Sequence, residues 1–279
     1  MVKRLSYLGP AGTYSEEAAI LYDSQAELVP FPTIPAVCRA VSDGLTDEGI
    51  VPIENSIEGS VVYTLDYLIS ETDLSIFHEV VLPIQHCLMI KPDTRTEDVR
   101  IIYSHPQSLA QCRRFLEDNF PGAEPIASLS NSAAVNHMME SGTTAAAIAP
   151  QRAAELYGAE IIERGIQDVT NNVTRFVLLG WKDHEPTSAD KTSLCFAFAE
   201  DAPGSLYNAL GVFASRDINL VKIESRPTKE SLGQYNFLVD CEGHRENDLV
   251  KEALDALETQ VSSLKVFGSY PRWQQTSGN

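Results

Sequence analysis

Residues 170–180 of the 279-residue chain read Thr-Asn-Asn-Val-Thr-Arg-Phe-Val-Leu-Leu-Gly, a polar, amide-rich approach to a short apolar run closed by glycine. The run has the composition of a buried strand. Thr174 and Arg175 therefore stand at a strand mouth, where a ligand finds a hydroxyl and a cation. Alone, the segment reads equally as a loop entering a core strand. Further joints shift that balance: Thr13/Ser15, Asn55/Ser56, Ser104/Gln107 and Asn131/Ser132 each set hydroxyls or amides between an apolar run and a helical pattern. Singly each is a helix cap. Together with Thr174 and Arg175 they describe a polar cleft rimmed by helix N-termini, suited to a small carboxylate-bearing ligand held by N–H and O–H donors. Gly9-Pro10-Ala11-Gly12 precedes the first joint and reads as an anion cradle or simply a tight turn. It lacks the G-x-G-x-x-G spacing of a dinucleotide site.

Strands alternating with helices must position these groups. Strands are expected at 5–8, 27–31, 49–53, 101–103, 125–128 and 145–149, and helices at 16–22 (begun by Ser15), 34–41, 61–69 and 109–120, the last carrying Gln111. A helix over 133–139 is expected to be capped by Asn131 and Ser132. Apolar runs at 74–82 and 84–90 flank Pro83 and read as strands crossing between two lobes; the return crossing leaves 161–162 and arrives at Thr174. This is an α/β pattern with largely parallel sheets, whose ligand crevice lies at the carboxyl ends of the strands. Residues 182–191 are polar and contain proline, as a linker does. Beyond them strands at 192–199, 218–224, 235–241 and 264–270, with helices at 204–216 and 249–257, give the ferredoxin-like β-α-β-β-α-β order. That fold names no function by itself.

A formal charge of −18, from 39 acidic and 21 basic residues, repels phosphate backbones and argues against nucleic-acid partners. The five cysteines are scattered, with neither a C-x-x-C pair nor zinc spacing to histidine, so buried thiols in a reducing cytosol are expected and no metal site. The N-terminus shows no signal-peptide core, and no apolar run reaches the roughly 18 residues of a membrane span. A soluble, cytoplasmic protein without a membrane partner is expected.

Five motifs carry a family resemblance: Gly9-Pro10-Ala11-Gly12-Thr13-Tyr14-Ser15, Pro52-Ile53-Glu54-Asn55-Ser56, Ser104-His105-Pro106-Gln107, Asn172-Val173-Thr174-Arg175-Phe176 and Glu224-Ser225-Arg226-Pro227. In this order they resemble the monofunctional prephenate dehydratases. The resemblance implies a two-lobed catalytic domain like type 2 periplasmic binding proteins over 1–181, with crossings near 80–85 and 161–174. A linker at 182–191, a regulatory ACT domain at 192–270 and a tail at 271–279 complete the expected division. It implies decarboxylating dehydration of prephenate to phenylpyruvate, water and CO2 in phenylalanine biosynthesis. Thr174 matches the family's essential threonine, and Asn55, Gln111 and Ser104 match other positions used at its site. For the substrate carboxylates we expect Thr13, Ser15, Ser132 and Arg175, with Phe176 lowering the local polarity. His105 is an acid or an ordinary turn histidine. Aromatisation drives the reaction, so neither cofactor nor metal is expected. A neutral threonine is a poor Brønsted acid, which makes Thr174 a hydrogen-bond donor to the leaving oxygen. Phenylalanine is the expected effector, at Gly204, Leu206, Glu224, Ser225, Arg226 and Pro227, in a dimer or tetramer paired through ACT domains. Gly204-Ser205-Leu206-Tyr207 departs from the family's Gly-Ala-Leu-Val motif. Two alternatives stand: an arogenate dehydratase, and a non-catalytic sensor of an amino acid or carboxylate.

Overall fold

A computed structural model describes residues 2–200, 202–229 and 233–274. Residues 275–279 of the expected tail lie outside them. The chain forms two compact units, one of residues up to 64 and 80–176, the other of residues 65–79 and those from 177 on.

In the first unit β1 (Arg4–Leu8), α1 (Tyr14–Tyr22), β2 (Glu27–Phe31), α2 (Ile34–Ser42), β3 (Glu48–Asn55) and the two-residue β4 (Gly59–Ser60) build one lobe. β1 pairs parallel with both β2 and β3. α3 (Val62–Ser70) follows, and β5 (Ser75–Pro83) runs from the second unit into the first. The second lobe holds β6 (Cys87–Ile90), β7 (Ile101–Ser104), α4 (Pro106–Gln111), α5 (Arg113–Asn119), β8 (Glu124–Ala127), α6 (Asn131–Glu140), β9 (Ala145–Ala149), α7 (Gln151–Tyr157) and β10 (Glu160–Arg164). Its strand order is β10-β6-β9-β7-β8. β7 runs parallel to β8 and β9, as crossover helices require, whereas β6 and β10 pair antiparallel. The parallel expectation thus holds for the β-α-β stretches and not for the crossing strands. β9 reads Ala-Ala-Ala-Ile-Ala and is buried throughout; its short side chains let α6 pack Ala134, Val135 and Met138 closely against the sheet. β11 (Val173–Gly180) leads the chain back, in a first-lobe sheet ordered β2-β1-β3-β11-β5.

The expected helix over 109–120 is two helices broken at Cys112. The Gln111 carbonyl, instead of accepting from the following turn, accepts from the Asp168 N–H at 2.7 Å. The Asp168 carboxylate accepts in turn from Arg114 N near the start of α5.

In the second unit β12 (Asp190–Ala197), α8 (Ser205–Ala214), β13 (Leu220–Pro227), β14 (Tyr235–Glu242), α9 (Asp248–Glu258) and β15 (Ser263–Pro271) make the ferredoxin-like sheet, ordered β13-β14-β12-β15. Leu194, Phe196, Phe213, Val239 and Leu257 fill the core on its helix-covered face. The other face is covered as well, by residues 65–79, so all eight residues of β12 are buried and the strand begins at Asp190, earlier than the expected 192. Lys265 Nζ donates to the Ile69 and Thr72 carbonyls at the end of α3 (3.2 and 2.6 Å). Lys191 Nζ sits 2.6 Å from the Glu79 carboxylate, both buried. No helix among the described residues is long and apolar enough to cross a membrane.

Candidate active site

β11 brings its polar approach to the crossing between the lobes. Side chains alternate along a strand, and Asn172, Thr174 and Phe176 point into one cavity of about 230 Å³. Tyr14, Ser15, Asn55, His86, His105, Gln107, Ser108, Gln111 and Asn131 also line it. Arg175, one step out of phase, faces away and pairs with Glu54 at 3.1 Å. The expectation that it holds a substrate carboxylate is therefore corrected: the period of two excludes Thr174 and Arg175 from serving the same cavity. Among the described residues no Lys, Arg, Asp or Glu lines it.

The amide groups are oriented without ambiguity. Asn55 Oδ1 accepts from the backbone N–H groups of Ile57 and Glu58, both at 3.0 Å. Its Nδ2 must then be the donor, to Asn172 Oδ1 (2.7 Å) and Thr174 Oγ1 (2.9 Å). With its acceptor side engaged, the Thr174 hydroxyl is left to donate its own proton. Asn172 Nδ2 donates in turn to Gln111 Oε1 at 3.1 Å. Gln111 Nε2 reaches the Glu58 carboxylate at 3.2 Å. Across the cleft, Asn131 Oδ1 accepts from Ser108 Oγ (2.9 Å) and the His105 N–H (3.3 Å), which aims its NH2 group elsewhere.

Three expected site residues serve the frame instead. Thr13 is the N-cap of α1: its hydroxyl accepts from Glu16 N and donates to the Pro10 carbonyl (3.0 Å). Glu16 accepts from Gly12 N, one residue before the cap, at 2.6 Å and so occupies an N–H that an anion cradle would have used. Ser15, expected as the cap, is the residue that faces the cleft. Ser132 donates to the Ala11 carbonyl and is fully buried, so it joins the lobes rather than touching a ligand. Gly12 has φ +82°, and a Cβ there would stand 2.8 Å from Ser132 Oγ. Ser130 is the N-cap of α6. Ser104 lies behind the cavity wall, donating to the Ile148 carbonyl at 2.7 Å and lying 3.1 Å from Asn131 Oδ1. His105 lines the cavity, but its Nδ1 caps α4 by accepting from Gln107 N, and burial lowers its pKa.

Sequence reasoning did not name His86, Tyr14 or Asn172 as site residues, whereas Asn131 belongs to one of the joints expected to rim the cleft and lines the cavity. His86 interrupts an apolar run just after the Pro83 crossing, a signal available in the sequence. No group of three or more His, Cys, Asp or Glu able to hold a metal ion occurs among the described residues. In the second unit Gly204 is the N-cap of α8 with φ +90°, and Leu206 packs against the sheet core. Glu224 and Arg226 share one side of β13, 3.1 Å apart, while Ser225 and Pro227 are exposed on the other.

The chain thus combines a two-lobed α/β domain, whose cleft is lined by uncharged hydrogen-bonding groups, with a ferredoxin-like module. The sequence pattern of prephenate dehydratase matches residues 5–184, and that of the ACT domain matches 193–259. A bifunctional chorismate mutase/prephenate dehydratase of Aquifex aeolicus is 43% identical over 96% of this chain and 74% of its own length. A prephenate dehydratase from Arthrobacter aurescens, solved in complex with L-Phe, superposes with a TM-score of 0.90 at 34% identity, covering 96% of this chain and 90% of that one. A structure described as GqqA, a novel type of quorum-quenching acylase, gives 0.86 at 30% identity over 96% and 98%. The chain belongs to the prephenate dehydratase family.

Proposed function

We propose that the cleft converts prephenate to phenylpyruvate, water and CO2, the step that commits a ring to phenylalanine, under feedback inhibition by L-phenylalanine at the ACT domain. Loss of the ring carboxylate as CO2 leaves an electron pair that moves through the ring and expels the hydroxyl on the opposite carbon. The observation that carries the reading is the Asn55–Thr174 hydrogen bond (2.9 Å), which fills the acceptor side of the Thr174 hydroxyl and turns its proton outward. Donation from Asn55 polarises that hydroxyl and makes it a better donor to the departing oxygen. Gln111 and Asn172 orient the ring; Ser15 and Asn131 hold carboxylate oxygens. A wall without cations forms no ion pair with the carboxylate that must leave, so the ground state is not over-stabilised.

The same wall bears on substrate choice. Arogenate carries an ammonium where prephenate carries a keto group, and no acidic side chain lines the cavity to receive it. Assaying both substrates side by side for aromatic product tests this, with prephenate expected to show the higher kcat/KM. Preference for arogenate would overturn the choice of substrate, and tight prephenate binding without turnover would make the protein a sensor.

We take residues 1–181 as the catalytic domain, 182–191 as the linker and 192–270 as the ACT domain. β13 is an edge strand bearing exposed Val221 and Ile223, which supports pairing with a second copy's ACT domain in a dimer or tetramer. Five buried free cysteines fit a reducing compartment such as the cytoplasm.

A further inference from the structure

His86 stands where three structural pieces meet. It lies between the end of β5 and the start of β6, and its own N–H donates to Gln167 Oε1 at 3.0 Å on the return crossing. Its Nε2 is 3.0 Å from Gln111 Oε1 in the second lobe, and its Nδ1 is 2.8 Å from the Tyr14 hydroxyl in the first. The side chain is buried, and the ring meets Tyr14 edge-on with centroids 5.7 Å apart.

The donor–acceptor sequence fixes the state of this ring. Starting from the Ile57 and Glu58 backbone, each amide in turn has only one permitted orientation, through Asn55 and Asn172, until Gln111 Oε1 is reached as an acceptor. His86 Nε2 must therefore carry a proton and donate. In the neutral ring Nδ1 is then an acceptor for the Tyr14 hydroxyl. The Tyr14 hydroxyl also has the Gln85 carbonyl in reach at 2.9 Å. If His86 gains a second proton, Nδ1–H donates to Tyr14 and Tyr14 turns to Gln85. That exchange reverses the link between the lobes and places a cation beside a cleft that otherwise has none.

We propose that His86 is a positioning residue for the dehydratase reaction: as the neutral Nε2–H tautomer it holds the Gln111 amide and the Tyr14 hydroxyl in place across the cleft, so that Gln111 keeps the substrate aligned with the Thr174 hydroxyl. This rests on the roles of Thr174 and Gln111 given above. Burial lowers the His86 pKa, opposed by the hydrogen bond to Gln111, and so favours the neutral ring. The titratable groups around it are Tyr14, with Glu17 and the buried Cys87 and Cys112 thiols acting on that hydroxyl, His105 on the same cavity, and Glu58 beyond Gln111.

His86→Leu, His86→Gln, His105→Gln and Thr174→Val, each first checked for native circular dichroism, form the test. His86→Leu is expected to lower kcat by roughly 10–100-fold with little change in KM, the scale of a misplaced catalytic group. His86→Gln carries an amide N–H toward Gln111 and is expected to recover most of that loss. It is also expected to lose the acidic limb of the kcat–pH profile, which His105→Gln retains. An unchanged kcat in His86→Leu, a His86→Gln variant as slow as His86→Leu, or an acidic limb that follows His105 would each overturn the proposal. Thr174→Val separates it from the underlying reading: if that variant keeps full kcat, the Thr174 mechanism fails; if it is inactive while His86→Leu is fully active, only the His86 role fails.

Discussion

Thr174 donates from a hydroxyl whose lone pair is already engaged by Asn55, so the two residues act as one unit. Thr174→Val keeps the shape and removes the O–H; kcat should fall on the order of 10²–10⁴ with KM nearly unchanged, read from initial rates of aromatic product. Asn55→Ala should approach the same loss, and the double variant should be little worse than either single one, because the second substitution removes a group that has lost its partner. Additive losses would show that the residues work independently. At this scale the sequence was legible for residue types and less so for their directions. Asn55, Gln111, Thr174 and Phe176, expected at the site, line one cavity. Arg175 was misplaced because a motif was read as a patch rather than as a strand with alternating faces. Thr13 was placed at the cleft because Ser15 was taken as the helix cap, whereas Thr13 caps α1 by accepting from Glu16 N. His86 and Asn172 were obscure for another reason: each matters through a partner distant in sequence, and neither sits at a strand-to-helix joint.

Elements were legible in kind and order, because periodicity and glycine punctuation are local signals. The break at Cys112 was not, since its cause is Asp168, a residue of the return crossing that takes the Gln111 carbonyl. The buried outer face of the ferredoxin-like sheet was equally hidden, because its cover, residues 65–79, comes from more than a hundred positions earlier. Gly268 records that packing. It has φ +152°, and a Cβ built there overlaps the Ile76 carbonyl oxygen and lies 2.8 Å from Ile76 N. Backbone atoms of β5 cannot rotate aside as a side-chain tip can. Gly268→Ala should therefore destabilise at or beyond the upper end of the roughly 1–3 kcal/mol typical of overpacked sites, seen as a lower denaturant midpoint. Gly142, with open space around its Cβ position, is the control: Gly142→Ala should leave that midpoint almost unchanged. Equal midpoints for the two variants would mean that β15 does not approach β5 as described.

For the whole molecule, the two compact units cut across the order of the chain: residues 65–79 cluster with those from 177 on. Residues 65–79 pack with the ferredoxin-like fold, where Leu74 and Ile76 are buried and Glu79 meets Lys191. Deleting residues 186–279 would remove Lys191, Lys265 and β15 together. The Ile69 and Thr72 carbonyls would lose their Lys265 donor, and the apolar face of β5 would meet water. With a total stability of order 5–15 kcal/mol, the remaining chain has little margin for that exposure. The truncated protein should aggregate or melt without cooperativity. It is thus a poor instrument for asking where phenylalanine acts. Arg226→Ala in the full chain asks the question cleanly: Arg226 is half-buried on β13 beside Glu224 and far in sequence from the covered face of β12. Its kcat without effector should stay near wild type, while the phenylalanine concentration for half-inhibition should rise at least about fivefold, the low end of a 1–3 kcal/mol coupling. Unchanged inhibition in Arg226→Ala would place the effector elsewhere. A truncated chain as stable as the full one would show that residues 65–79 fold without the sheet that covers them.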